Sequence, residues 1–186
     1  MKTHAFGLSL GIAWLATVAA QAQDLPQSPE ATKEHKLLDR FVGEWTTDSE
    51  GTAGPDQPAM KAKGSMHTRK LGDYWVICDI KNDMMGTTIT AVQTLGYDAK
   101  TKKYLGTWVD SLTDYMWKYE GTLDPSGKIL TFEAEGPNFL APGKTAKFRD
   151  VYEFKSDDHI VATSSMLSAD GKWVDFMTGN LRRVKK

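Results

Sequence analysis

The 186-residue sequence predicts an all-β fold, an antiparallel up-and-down β-barrel of about ten strands with one short N-terminal helix. Three observations carry that expectation. Strand-like runs of about 6 to 10 residues follow one another without intervening helical periodicity. They fall near Glu44–Glu50, Met60–Lys70, Tyr74–Asn82, Thr87–Tyr97, Lys103–Asp110, Met116–Leu123, Ile129–Glu135, Thr145–Phe154, His159–Leu167 and Lys172–Val184. The links between them are tight turns: Asp98-Ala99-Lys100, Asp124-Pro125-Ser126-Gly127, Ser156-Asp157-Asp158 and Ala169-Asp170-Gly171. Such links join antiparallel neighbours, because a parallel crossover needs about a dozen residues or more. So many consecutive antiparallel strands favour closure, which removes the exposed edges; a two-sheet sandwich is the alternative.

The chain opens differently. Lys2 gives a positive start, Ala5 to Ala20 is uncharged and mostly apolar, and Ala20-Gln21-Ala22 offers small residues for cleavage. Residues 1–22 are therefore expected to be a signal peptide, and the protein to be periplasmic or secreted. No later segment has the length of a transmembrane helix, so no stable membrane insertion is expected after cleavage. Residues 23–34 read as a linker, with two prolines and no apolar period between Asp24 and Thr32. Ser28-Pro29-Glu30 has the chemistry of a helix start, a hydroxyl cap followed by proline and an acid. Leu37, Leu38 and Phe41 then make an apolar stripe that ends at Gly43, for a helix of about three turns. Residues 35–186 form the barrel domain in this reading.

Removing residues 1–22 of 186 leaves 164, enough for one domain with one core. The removed segment holds one of the 23 basic side chains and none of the 24 acidic ones, so the remainder carries a formal net charge of −2. Both signs are interspersed, which argues against a nucleic-acid footprint; Arg182-Arg183-Val184-Lys185-Lys186 reads as a solvated basic tail. Cys78 is the single cysteine and lies in the apolar run Trp75-Val76-Ile77-Cys78. It cannot form an intramolecular disulfide, and its setting is that of a buried, inert thiol.

One stretch goes beyond pattern. Gly96-Tyr97-Asp98, Lys103-Tyr104-Leu105-Gly106-Thr107-Trp108, Asp110-Ser111, Met116-Trp117, Glu120-Gly121-Thr122, Gly127-Lys128-Ile129-Leu130-Thr131 and Glu135-Gly136-Pro137 follow in close order. With Phe148-Arg149-Asp150-Val151, Asp158-His159 and Asp170-Gly171-Lys172, they resemble the bacterial domain of unknown function 1579 family, from about His35 to Arg183. The resemblance implies a calycin (lipocalin-like) barrel and brings no activity with it. Gly43-Glu44-Trp45 after a short helix also resembles the Gly-x-Trp opening of lipocalin-like barrels. That likeness implies a structural pair in which Trp45 plugs one end beneath Arg183 or Arg182; a guanidinium over an indole contributes about 0.5–2 kcal/mol.

The densest polar and aromatic segment runs from Trp108 to Glu120. Side chains at i and i+2 share a strand face, so Trp108 and Asp110 point together, as do Met116, Lys118 and Glu120. The pattern leaves the sixth strand open: either that charged set faces inward, or Trp117, Tyr119 and Leu123 do. The family resemblance, which includes Glu120 and not Lys118, favours an inward Glu120. Arg149 is the candidate partner of that acid, although Phe148, Tyr152 and Phe154 mark the opposite face of its strand as core and send Arg149 to the surface. The expected ligand-binding set is Trp108, Asp110, Met116, Trp117, Glu120 and Arg149. An aromatic platform with a few polar groups suits a small, partly apolar ligand.

Other chemistries find less support. Paired carboxylates such as Asp110 and Glu120 would serve a hydrolase or isomerase, but acids this frequent on strands are usually solvated. No Gly-x-Ser-x-Gly elbow and no phosphate-binding glycine loop is present. His35, His67 and His159 are too far apart in sequence to form a metal motif. A haem site of the nitrobindin kind, a small barrel holding haem through one histidine, would call on His67 or His159, with Met116 or Met166 packed on the ring. The sequence expectation is thus an exported small-molecule-binding barrel with no cofactor, the alternatives being an enzyme, a haem protein, or an interaction domain whose interior is filled.

Overall fold

The structure is a computed structural model that describes residues 29–52 and 58–185. Residues Ala31–Lys186 make one compact unit. The expected signal peptide, and the linker as far as Ser28, lie outside the described residues.

A short helix, α1 (Lys33–Leu37), runs into a 3-10 turn (Leu38–Phe41), and ten strands follow. They are β1 (Gly43–Gly51), β2 (Met60–Leu71), β3 (Trp75–Met84), β4 (Thr87–Asp98), β5 (Lys103–Asp110), β6 (Trp117–Leu123), β7 (Ile129–Pro137), β8 (Thr145–Ser156), β9 (His159–Leu167) and β10 (Trp173–Arg183). Each strand pairs antiparallel with its sequence neighbours, and β10 returns to β1, so the sheet closes into a barrel. The strands anticipated from alternation and turn chemistry agree with these to within about two residues at each end.

The helix start differs from the expectation. Pro29 and Glu30 are not helical, and Thr32 sits at the N-cap in an extended conformation. Its amide donates to His35 Nδ1 at 3.0 Å, so the cap that operates is the hydroxyl residue nearest the apolar stripe. The buried His35 ring packs edge-on against Tyr74 and Tyr97.

The period of two sorts the strands into an inner and an outer face. Inside, the half nearest the helix is solid. Leu38, Phe41, Trp45, Leu95, Phe132 and Ile160 are all within 1% of complete burial. Trp45 donates its indole N–H to the carbonyl of Phe41 at 2.8 Å, fixing the helix over the barrel end. The Arg183 guanidinium lies over the Trp45 ring, 4.2 Å from its centroid, and donates to the carbonyls of Val42, Arg40 and Asp157. Gly43 makes this approach possible: its φ is +126°, and a Cβ there would stand 2.7 Å from Arg183 Nη1.

Cys78 is completely buried on the inner face of β3, beside Thr68 and Gln93 in register. Burial pushes its thiol up to about 11, so almost no thiolate forms near neutral pH. Native protein is expected to resist labelling by a disulfide reagent at pH 8 for as long as it stays folded. Labelling should follow the unfolding rate; prompt labelling of native protein would show a thiol reachable from solvent.

Candidate functional site

At the other end the strands are joined by longer segments, including 111–116 and 138–144, and the interior changes character. Trp108 and Asp110, on the inner face of β5, do point together. The Trp108 indole donates to Asp110 Oδ2 at 2.8 Å, while Asp110 Oδ1 accepts from the amides of Leu112 and Thr113 at 2.8 and 3.0 Å. Asp110 is therefore the clamp that orders the β5–β6 loop and aims the indole. Trp117 faces inward from β6, its ring edge-on to Phe148 with centroids 4.9 Å apart. Gly136 provides the room, since a Cβ there would lie 2.3 Å from the Trp117 ring.

Three expected site residues lie elsewhere. Trp117, Tyr119 and Leu123 take the inner face of β6, so Lys118 and Glu120 face outward. The aromatic face gains more from burial than the charged one, and this corrects the inward Glu120. Glu120 borders a groove of about 450 Å³ on the outer sheet surface, among Lys103, Lys118, Glu133 and Lys147. Arg149 also points outward: it donates twice to Glu133 Oε1, at 3.1 and 2.7 Å, and lies over Trp173, 3.9 Å from the ring centroid. It does not partner Glu120. Met116 sits exposed in the loop before β6.

The haem alternative loses its ligands in the same way. His67 is on the outer face of β2, bonded to Glu44, and His159 bonds Asn180 at 2.8 Å on the outer face of β9. His35 is enclosed by tyrosines beside the helix. Among the described residues no histidine reaches the open half of the interior.

What occupies that interior is a polar floor that sequence reasoning did not assemble. Asp150 faces inward from β8 on the same face as Phe148, Tyr152 and Phe154. It accepts a hydrogen bond from the Ser164 hydroxyl at 2.5 Å and another from Tyr119. Burial raises its carboxyl above the ordinary range, more than these two donors lower it. Burial likewise raises the phenols of Tyr119 and Tyr152, and the Asp150 charge adds to both shifts. Beside it, Gln93 Nε2 donates to Tyr152 Oη at 2.9 Å, a bond that crosses the barrel from β4 to β8.

Asp150 combines two properties. It lies deep in the protein, yet the residue as a whole is not fully buried. Trp108, Ala162 and Met166, whose side chains also face inward, are likewise not fully buried. Across the open half the inner face thus carries Gln93–Tyr152 and Asp150–Ser164, and toward the far end Trp117, Phe148, Phe176 and the loop residue Phe139 are in ring contact. The signal for Asp150 was present in the sequence, as an acid in phase with three aromatics on one strand.

Comparison with known proteins agrees on the fold. The family model described as "Protein of unknown function (DUF1579)" matches residues 30–183, as the central motifs anticipated. No curated protein matches the sequence. Among solved structures, Rv2717c from M. tuberculosis aligns with a TM-score of 0.60 at 12% identity, covering 84% of this chain and 100% of that one. The S-type phycobiliprotein lyase CPES from Guillardia theta aligns with a TM-score of 0.54 at 13% identity, covering 85% and 99%. A redesigned β-barrel, mFAP0, bound to DFHBI gives a TM-score of 0.43 at 14% identity, covering 77% and 99%. At 12% and 13% identity the first two likenesses are ones of fold alone.

Proposed function

We propose that this chain, which belongs to the family described as Protein of unknown function (DUF1579), is an exported binding protein that holds a small, partly apolar molecule in the open half of its barrel. The observation that carries this reading is Asp150 itself, an acid that faces inward among Phe148, Tyr152 and Phe154 and is not fully buried. A core evolved only for stability gains nothing from a carboxyl and two hydroxyls at its centre, because each buried polar group costs about 1–3 kcal/mol unless it is fully bonded. A mostly apolar pocket with a few fixed polar groups is the usual form of a small-molecule site. In this reading Trp108, Trp117 and Phe148 supply contact surface, Asp110 holds the rim, and Asp150 with Ser164 orients the ligand. Export rests on the basic, apolar and small-residue order of residues 1–22.

Native mass spectrometry of protein recovered from the periplasm tests both halves of the proposal. The expected species lacks residues 1–22 and carries a small adduct that is lost on denaturation. A substitution that fills the lumen gives the matching control. Ala162→Phe is expected to weaken binding of Nile red, a neutral apolar dye, by about tenfold or more, equal to about 1.4 kcal/mol. The far-UV circular dichroism should be unchanged. Equal dye affinity in the two proteins would place the binding surface outside the lumen.

A further inference from the structure

We infer that the lumen selects amphipathic molecules bearing a protonated amine, with Asp150 as the counter-ion for the ammonium group and the aromatic wall as the seat of the apolar body. The inference rests on the lumen reading above and adds the charge of the ligand to it. Its basis is an inventory of the inner face. Among the described residues, the inward strand positions carry no histidine and two bases, both at the closed end: Arg183 is held by Trp45 and three carbonyls, and Lys70 by Asp39 and Asp73. The closed end is packed solid, so both are cut off from the floor.

Asp150 therefore has no cationic partner. Its two donors, Ser164 and Tyr119, are neutral hydroxyls. Two neutral donors satisfy the geometry of a carboxyl without compensating its charge, and a buried carboxylate without a counter-ion is costly to hold. The basic residue nearest in sequence, Arg149, is turned to the outer face and paired with Glu133. A ligand that brings its own positive charge supplies what the fold leaves out. It also gains from its surroundings, because Trp108, Trp117 and Tyr119 present ring systems that attract cations. Asp110, inward at the rim, adds negative potential along the way in. The same arrangement works against fatty-acid-like anions, which would bring a second carboxylate to the floor with no base to receive it.

Three probes of one shape decide the matter: 2-naphthylmethylammonium, 2-naphthylmethanol and 2-naphthoate, titrated calorimetrically into the wild-type protein and Asp150→Asn. Wild type is expected to bind the ammonium about tenfold more tightly than the alcohol, and the carboxylate most weakly. In Asp150→Asn the preference should fall to about twofold or less, with affinity for the alcohol kept. If wild type binds the alcohol as well as the ammonium, or Asp150→Asn keeps the preference, the inference fails while the lumen reading stands on alcohol binding. If none of the three binds and the lumen-filling Ala162→Phe leaves dye binding unchanged, both fail. Should Asp150→Asn not fold, the wild-type ratio of ammonium to alcohol affinity decides alone.

Discussion

Replacing Trp45 by alanine is expected to lower the folding free energy by about 3–5 kcal/mol, read from urea denaturation at neutral pH. The indole is 1% exposed and is among the largest fully buried side chains. Removing it deletes a hydrogen bond to Phe41 and takes away the surface on which the Arg183 guanidinium rests. It also leaves a cavity bounded by residues tied to the sheet, so the gap cannot collapse. Trp45→Phe separates these contributions. It keeps most of the volume and loses the indole N–H, for an expected cost of about 1–2 kcal/mol. Arg183→Lys tests the stacked partner: a lysine keeps the charge but cannot reproduce the planar fork that reaches three carbonyls. A loss below about 1 kcal/mol for Trp45→Ala would show that this end is not the packed closure described.

Asp150→Asn is expected to raise stability at neutral pH, by about 1–3 kcal/mol, provided no ligand is bound. An asparagine oxygen accepts from Ser164 and Tyr119 as the acid does, without the charge. The sign in wild type follows from linkage. The folded carboxyl titrates above its reference value of 3.8, so at pH values between the two the folded state holds a proton that the unfolded chain has lost. Its contribution to stability is complete below that reference value and is lost as pH rises through the raised folded value. The groups facing the carboxyl are Tyr119 from β6, Ser164 from β9 and, on its own strand, Tyr152 with its Gln93 partner; Asp110 acts on Tyr119 from β5. None is a base, and burial moves the two phenols away from this range, so the window belongs to Asp150. The stability gap between variant and wild type should therefore open with rising pH and vanish near pH 3. A gap constant from pH 3 to 8 would mean that the carboxyl is not desolvated.

The barrel was legible because each strand repeats one local rule, alternation closed by a turn, and such rules do not depend on distant partners. The helix start was misplaced because Ser28-Pro29-Glu30 and Thr32 both supply capping chemistry, and only packing of Leu38 and Phe41 on the barrel chooses between them. The orientation of β6 was ambiguous for a similar reason. Trp117-Lys118-Tyr119-Glu120 offers an aromatic and a charged face, and the decision falls to the space above Gly136 and the Phe148 edge. Asp150 could have been placed inward by its phase with Phe148, Tyr152 and Phe154. Its partner Ser164 lies on the next strand, and the Gln93–Tyr152 bond joins residues 59 apart across the interior. Pairings of that kind arise from closure, which no local window contains.

The seam between β1 and β10 has a consequence in time. Trp45 meets Arg183 and Gly51 meets Met177, so the sheet cannot be sealed until β10 has been synthesised. Contacts so distant in sequence make for slow completion. Until the last strand is made, β1 presents an unpaired flank to any passing strand, its own or a stranger's. A barrel that closes only through β10 stays an open sheet while the other nine strands form.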